Sequence, residues 1–142
     1  MDIKFKVFAY VLPFESRFIR ERVFIIEQKF HDEFDENDKE AIHVVMYEQN
    51  MPIGTCRIIY SQKHSCYVIG RVAVLEDYRN LGLGSKMIQR AEKELRKRFG
   101  HIRVGVDSQV RVYLFYQKLG YNLTTDTHED EGVPHVFMEK QL

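Results

Sequence analysis

A glycine-rich turn at residues 79–85 constrains this chain most, because it joins a strand-like segment to a strongly helical one. The segment before it, residues 67–75, is apolar on both faces over most of its length, as strands inside a sheet are. The segment after it, residues 85–99, has apolar residues at helical spacing. Glycines at such a junction let several peptide N–H groups converge at a helix N-terminus and bind an anion. The turn therefore predicts a phosphate-bearing ligand, although an ordinary glycine-capped turn has the same composition.

Composition excludes several classes of function. The 142 residues predict one domain spanning 1–142, and the 21 acidic and 21 basic side chains give no electrostatic reason to expect nucleic-acid or membrane binding. The chain has no apolar stretch of membrane-spanning length and no signal-peptide core at its start. Cys56 and Cys66 would not face each other in a hairpin, so we expect no disulfide and a cytoplasmic location. The six histidines lack metal-site spacing, and no metal is expected.

The predicted elements form a mixed α/β (α+β) architecture, with a central sheet of about seven strands flanked by helices. Their order is β-α-β-β-β-α-β-α-β-β. The strands are predicted at residues 3–11, 42–48, 53–61, 67–75, 102–106, 121–125 and 133–140. The helices are predicted at residues 14–30, 85–99 and 109–119, the first with a buried stripe of Ile19, Val23, Ile26 and Phe30. The strand–helix–strand unit from 67 to 106 should be parallel.

This element order resembles the GNAT superfamily of acyl-CoA-dependent N-acyltransferases. Arg79, Gly82 and Gly84 match the superfamily's cofactor motif, and residues 115–121, Phe-Tyr-Gln-Lys-Leu-Gly-Tyr, match its aromatic helix signature. Residues 22–28, the acidic loop with His43, and residues 132–135 with Met138 resemble the ElaA-type branch. The resemblance covers essentially the whole chain.

The resemblance implies acetyl-CoA as co-substrate, bound where the fourth and fifth strands separate. Main-chain groups of residues 72–74 would pair with the pantetheine arm, and a backbone N–H near Val74 would polarise the thioester. The superfamily usually has Asn where this chain has Gln109. The cofactor-binding residues implied are Val72, Ala73, Val74, Arg79, Asn80, Leu81, Gly82, Leu83, Gly84, Ser85 and Gln109.

Acyl transfer to an amine needs a proton donor for the leaving thiolate and an acceptor for the amine's proton. Tyr116 is the candidate acid because it matches the motif position, whereas core packing is the competing interpretation. Glu27, beside the apolar helix stripe, and His135, with a suitable ordinary pKa, are both candidate bases. A surface ion pair for Glu27, an edge-strand role for His135 and a water chain stay open.

The acidic loop at residues 32–40 suggests that the acceptor is cationic. Glu33, Asp35 and Asp38 match the branch pattern and are the candidate acceptor-binding residues, whereas a solvated loop is the competing interpretation. The expected acceptor is a small amine or a peptide amine, and two copies could pair through an exposed strand.

The leading hypothesis is a cytoplasmic N-acetyltransferase that moves an acetyl group from acetyl-CoA directly to a primary amine. A non-catalytic acyl-CoA-binding or sensing domain of the same fold is the alternative. A dinucleotide-binding protein is disfavoured because the turn lacks the third glycine of that fingerprint and follows several strands.

Overall fold

The computed structural model describes residues 1–142 and contains seven strands in one mixed sheet. The strands are β1 (Ile3–Ala9), β2 (Ile42–Glu48), β3 (Met51–Ser61), β4 (Cys66–Val74), β5 (Arg103–Gln109), β6 (Asn122–Asp130) and β7 (Val133–Gln141). They lie in the order β1-β2-β3-β4-β5-β7-β6, and β4 and β5 form the one parallel pair. The predicted fold class, strand number and element order are confirmed.

Three α-helices flank the sheet: α1 (Phe14–Arg20), α2 (Leu83–Phe99) and α3 (Tyr113–Lys118). Short 3-10 turns occur at Glu36–Lys39, Glu76–Tyr78 and Val110–Val112. The main core lies where α2 and α3 cover one face of the sheet, and α2 contributes Leu83, Met87, Ile88, Ala91 and Leu95 to it. None of the helices combines the length and apolar character needed to span a membrane.

The first helix differs from the prediction because α1 continues as a π-helical segment, Glu21–Glu27. The Gln28 N–H donates to the Val23 carbonyl, five residues back, at 3.1 Å. Each turn of this segment holds an extra residue, so positions after Val23 are rotated relative to a regular helix. Ile19 and Val23 are buried as expected, but Ile26 is 57% exposed, and its place in the predicted stripe was wrong.

The hairpin of β6 and β7 is longer than predicted. We expected β6 to end at Thr125, but it continues to Asp130 and pairs with β7 as far as Val133. Residues 126–130 are mostly polar and charged, which disfavours a strand prediction. They can still form a strand because β6 is the edge of the sheet and its side chains reach solvent.

Candidate active site

A cleft of about 830 Å³ opens where β4 and β5 separate. The two parallel strands pair only from Tyr67–Val104 to Ile69–Val106, and beyond that point no bond joins them. The rest of β4, residues 70–74, thus has one backbone edge facing the cleft. The structure places the opening between the fourth and fifth strands, as the resemblance implied.

A bulge in β4 accompanies this separation. Thr55 lies opposite Ala73 and Arg57 opposite Gly70, so that β4 has an extra residue between these pairs. Arg71 lies in this bulge with a φ of 49°, in the left-handed region that a non-glycine residue rarely occupies. Bulges bend a strand and redirect its side chains, which is consistent with their frequency beside active sites.

The glycine turn forms one wall of the cleft. Gly82, with φ of 74°, is the N-cap residue of α2, and no side chain caps the helix. The first N–H groups of the helix, from Leu83 to Ser85, therefore have no partner within α2 and are available to an anion. A Cβ at Gly84 would lie 3.2 Å from the Phe115 ring, so a side chain there would crowd the wall. These features fit a phosphate-bearing ligand.

Most of the predicted cofactor-binding residues line this cleft. They are Val72, Val74, Arg79, Asn80, Gly82, Leu83, Gly84, Ser85 and Gln109. The other two do not: Ala73 is buried against Ile19 and Val23 under α1, and the Leu81 side chain is 51% exposed. A contact between Ala73 and a ligand would therefore have to come from its main chain.

Arg79 joins three segments around the turn. Its Nε donates to the Val74 carbonyl at 2.9 Å, and its other two nitrogens hold the Glu27 carboxylate at 2.8 and 3.0 Å. Glu27 is therefore an ion-pair partner rather than a carboxylate against an apolar surface. Its side chain is 29% exposed, and this ion pair is the competing interpretation that the sequence left open for Glu27.

Tyr116 is buried in the wall of the cleft, on α3. Its ring contacts those of Phe115 and Tyr121 edge-on, with centroids 5.0 and 6.0 Å apart, while its hydroxyl has no hydrogen-bond partner in the protein. Burial raises the pKa of the Tyr116 phenol above its ordinary value. The group is thus a protonated donor at neutral pH, and its hydroxyl is free to bond a ligand.

The secondary structure at Gln109 differs from the prediction. It is the last residue of β5 rather than the start of a helix, and α3 begins only at Tyr113. Its Nε2 donates to Gln28 Oε1 at 2.9 Å, and its Oε1 accepts from Arg111 Nε at 2.7 Å. The amide therefore connects Gln28, just after the π-helical segment, with the residues that follow β5. A ligand that binds this amide would have to replace one of the two hydrogen bonds.

His135 is buried in β7 and lines the cleft. Its Nδ1 lies 2.8 Å from the Val133 carbonyl, and because a carbonyl only accepts, Nδ1 must carry the proton. This hydrogen bond fixes the tautomer in which Nε2 has a lone pair. No protein group bonds Nε2, so His135 offers a proton acceptor to the cleft, which Glu27 does not.

The acidic loop is part of a buried ion-pair network. Arg20, only 1% exposed, binds Glu33 at 2.6 Å and Asp38 at 2.7 Å. Arg57 binds Asp35 and Asp38 at 2.7 and 2.9 Å. Burial acts to raise the pKa of Asp38, but the hydrogen bonds and charge of Arg20, together with the Asp35 N–H and Arg57, outweigh it and lower that pKa to about 2. The carboxylates predicted to attract the acceptor are thus already neutralised by arginines.

The network also holds the β4 bulge. Arg71 Nε donates to the Glu33 carbonyl at 3.2 Å and lies 3.1 Å from the Glu33 carboxylate, while its Nη2 reaches Asp35 at 3.5 Å. Together Arg20, Arg57 and Arg71 balance Glu33, Asp35 and Asp38 charge for charge. The role of these acids that the structure displays is to fix the loop and the bulge beside the cleft; contact with the acceptor stays a prediction.

Sequence reasoning missed several residues that line the cleft, chiefly Asp107, Arg57 and Arg71, and it missed the contact of Asp107 with His128. Asp107 is the first residue of β5 beyond its pairing with β4, and it lies 3.0 Å from His128. A carboxylate directly after an apolar strand was a usable signal, because ligands in open sheets bind outside the carboxyl ends of parallel strands. Arg57 gave a similar signal, as a charge inside the apolar run of β3.

The fold and the cleft define a class of protein: an acyltransferase whose sheet opens between two parallel strands beside an uncapped helix N-terminus. The chain belongs to the acetyltransferase (GNAT) family, whose sequence model matches residues 17–142. It is 36% identical over 135 residues to the uncharacterised protein YyaT of Bacillus subtilis (strain 168), covering 90% of this chain and 88% of that protein.

Solved structures share the whole architecture. The crystal structure of Escherichia coli ElaA matches with a TM-score of 0.87 at 23% identity, covering 99% of this chain and 100% of that one. A GNAT family acetyltransferase from Elizabethkingia anophelis with acetyl-CoA bound matches with a TM-score of 0.73 at 15% identity, covering 99% and 98% of the two chains. These likenesses confirm the GNAT fold, and the first confirms the likeness to ElaA at the level of the fold.

Proposed function

We propose that the protein is an N-acetyltransferase that uses acetyl-CoA and transfers the acetyl group directly to a primary amine. The observation that carries the proposal is the Tyr116 hydroxyl, which is buried, protonated, without a protein partner and turned to the same cleft as the uncapped N-terminus of α2. A ligand with phosphates at one end and a reactive thioester at the other would use both features. The acetyl-CoA bound to the Elizabethkingia anophelis acetyltransferase supports this choice of co-substrate.

The residues of the cleft divide the chemistry between them. The N–H groups of Leu83 to Ser85 bind the pyrophosphate, where the positive end of the helix dipole favours negative charge. Backbone groups of β4 beyond Ile69 face the acyl arm, and an N–H near Val74 stabilises the oxyanion. Arg79 is held by Glu27, so its role here is to shape the turn, with much of its charge already compensated.

Proton transfer follows from the positions of two groups. His135 Nε2 accepts a proton from the acceptor amine, whose lone pair then attacks the thioester carbon and forms the C–N bond. The C–S bond breaks as the tetrahedral intermediate collapses, and Tyr116 donates its proton to the departing thiolate. The second proton of the amine nitrogen restores the phenol, so the products are an amide, the thiol and one proton released from His135.

The geometry favours His135 over Glu27 as the base. Both carboxylate oxygens of Glu27 are bound by Arg79, whereas the Nε2 lone pair of His135 is free and faces the cleft. The acceptor class within this proposal is a small amine or a peptide amine. Balanced net charge and two free buried thiols support a cytoplasmic protein that binds neither nucleic acid nor membranes.

Release of free thiol from acetyl-CoA in the presence of an amine panel tests the proposal. We expect turnover by the wild-type protein, and Tyr116→Phe should slow it by roughly ten- to ten-thousand-fold with acetyl-CoA affinity little changed. Tyr113→Phe is the matched control, since Tyr113 is on the same helix but does not line the cleft. Acetyl-CoA binding without amine-dependent thiol release would instead indicate the non-catalytic acyl-CoA-binding domain.

A further inference from the structure

One half of the sheet has an open face beside the cleft. The helix α1 packs on β2, β3 and β4 and does not extend over β5, β7 and β6. The strand register aligns Gln109, His135 and His128 across these three strands, one directly opposite the next. Because side chains two residues apart share a face, Asp107 also belongs to this face. The face thus brings a carboxylate and two imidazoles together beside the cleft.

His135 has an unused hydrogen-bonding atom on this face. The residue is 7% exposed, its Nδ1–H is fixed on the Val133 carbonyl, and its Nε2 has no partner among the protein groups. The His128 ring is stacked on it with centroids 5.4 Å apart. A buried imidazole that keeps an open lone pair toward a cleft needs a donor from outside the protein.

Asp107 lacks a permanent cation. Its Oδ2 lies 3.0 Å from His128 Nε2, and neither a lysine nor an arginine contacts it. Asp126, on the same strand face as His128, differs in this respect: His64 binds it at 2.7 Å and Lys63 lies 3.6 Å away. The two carboxylates are therefore chemically alike, but Asp126 has a lysine near it and Asp107 has only a histidine. Of the two, only Asp107 lines the cleft.

We propose that Asp107 binds the acceptor as an ammonium ion and positions its nitrogen against His135 Nε2, so that the acceptor is a protonated alkylamine. The proposal rests on the function proposed above. An alkylamine with a pKa of about 10 is almost entirely protonated at neutral pH, so a site for the ammonium captures the abundant form. The proton then moves to His135, and the carboxylate of Asp107 faces a positive charge before and after the transfer.

The surroundings of Asp107 are consistent with this role. The groups that face it are His128 and Asp126 from β6, His135 from β7, and His64 from the turn before β4. Partial removal from water raises the pKa of the Asp107 carboxyl, and the neighbouring histidines act against this. An incoming ammonium ion would favour the ionised carboxylate further, because an opposite charge stabilises it.

The test compares a charged with a neutral acceptor in two matched variants, Asp107→Asn and Asp126→Asn. Both changes remove one carboxylate from the same face. Asp107→Asn should raise the KM for an alkylamine by about 10- to 100-fold, as expected for a lost charged hydrogen bond, and leave the KM for a neutral arylamine near that of the wild type. Asp126→Asn should leave both values unchanged. Equal losses for both amines in Asp107→Asn, or no loss, would overturn the proposal.

A binding measurement makes the test independent of turnover. Calorimetry should show a primary alkylamine, which is protonated at neutral pH, binding to the wild-type protein more tightly than the uncharged alcohol of the same carbon skeleton, and Asp107→Asn should abolish the difference. Equal binding of the two compounds to the wild type would overturn the inference while leaving the acetyltransferase proposal intact. Failure of the acetyltransferase proposal has a separate signature: no amine of any charge would release thiol from acetyl-CoA.

Discussion

Two charged regions flank the cleft, and they use similar side chains in opposite ways. In the network of Arg20, Arg57 and the acidic loop, every charged group that is buried has a partner of opposite sign. On the open face of β5, β7 and β6, His135 keeps a free Nε2 and Asp107 has only a histidine beside it. The comparison indicates that polar atoms without a partner that face a cleft have a role in ligand binding or catalysis. Polar atoms that already have partners have a structural role.

The first region holds the acidic loop and the β4 bulge in place beside the cleft. Glu33 contacts Arg71 in the β4 bulge, and Asp38 also accepts the His43 Nε2–H at its carbonyl, at 2.9 Å. The loop is thereby fixed to β2, β3 and β4 at once. Such a network adds little net stability compared with apolar packing, but it leaves costly unpaired charges if one member is removed.

The largest effect we expect is on the rate of the His135→Gln variant. Loss of the base should lower kcat/KM for the acceptor by about 100- to 10,000-fold and remove the acidic limb of the pH–rate profile. Glu27→Gln should keep that limb, because Glu27 is bound by Arg79. A lost limb in Glu27→Gln with an intact one in His135→Gln would reverse the assignment, and two intact profiles would indicate a water chain.

Removing a member of the buried ion-pair network should lower the stability of the fold rather than the reaction rate. Arg20→Met leaves Glu33 and Asp38 without their main partner and should lower the free energy of unfolding by about 3–5 kcal/mol in urea titrations. Lys39→Met removes an exposed partner, 3.6 Å from Glu36, and should change it by about 0.5 kcal/mol or less. A small effect of Arg20→Met would mean that the network is not needed to hold the loop.

A third prediction concerns the glycine turn. At saturating acetyl-CoA, about 100 times its Kd, the ligand should stabilise the wild-type fold by about 2.7 kcal/mol, and Gly82→Asp should abolish the resulting thermal shift. The substitution places a carboxylate where the phosphates bind. Gly132→Asp controls for backbone strain, since both glycines have positive φ and open space around an added Cβ. An unchanged thermal shift in Gly82→Asp would exclude the turn as the phosphate site.

The smallest expected effect is a pH dependence of stability from His43, which is fully buried behind the network. Burial lowers the pKa of His43 below its ordinary value of 6.5. Below about pH 6.5 the unfolded chain binds a proton that the folded protein does not, so stability should fall as pH decreases. The melting temperature of wild type should drop between pH 6.5 and 5, by an amount corresponding to about 1 kcal/mol, and that of His43→Gln should vary less. Equal slopes would contradict the assignment.

Much of the fold could be predicted because local patterns agree with it. The apolar run of β4, the glycines at residues 82 and 84 and the helical spacing of α2 give the strand–turn–helix unit that forms one wall of the cleft. The aromatic segment around Tyr116 was placed on the right helix for the same reason. The start of α3 was missed because residues 109–112 are polar and branched residues that suit a strand end or a 3-10 turn as well as a helix.

The sequence alone determined the element order, the family and the identity of the glycine turn, since these depend on neighbours along the chain. Only the tertiary structure decided which charges are compensated. Asp38 and Asp107 are both carboxylates in the sequence, but Asp38 meets the permanent cation Arg20, 18 residues away, and Asp107 meets only His128 on β6. Likewise, Glu27 meets Arg79, 52 residues away, whereas the hydrogen bond from His135 Nδ1 to the Val133 carbonyl leaves Nε2 with the free lone pair. The charge environment of a side chain depends on partners that are distant in the sequence. Those partners cannot be predicted from the residues next to it along the chain.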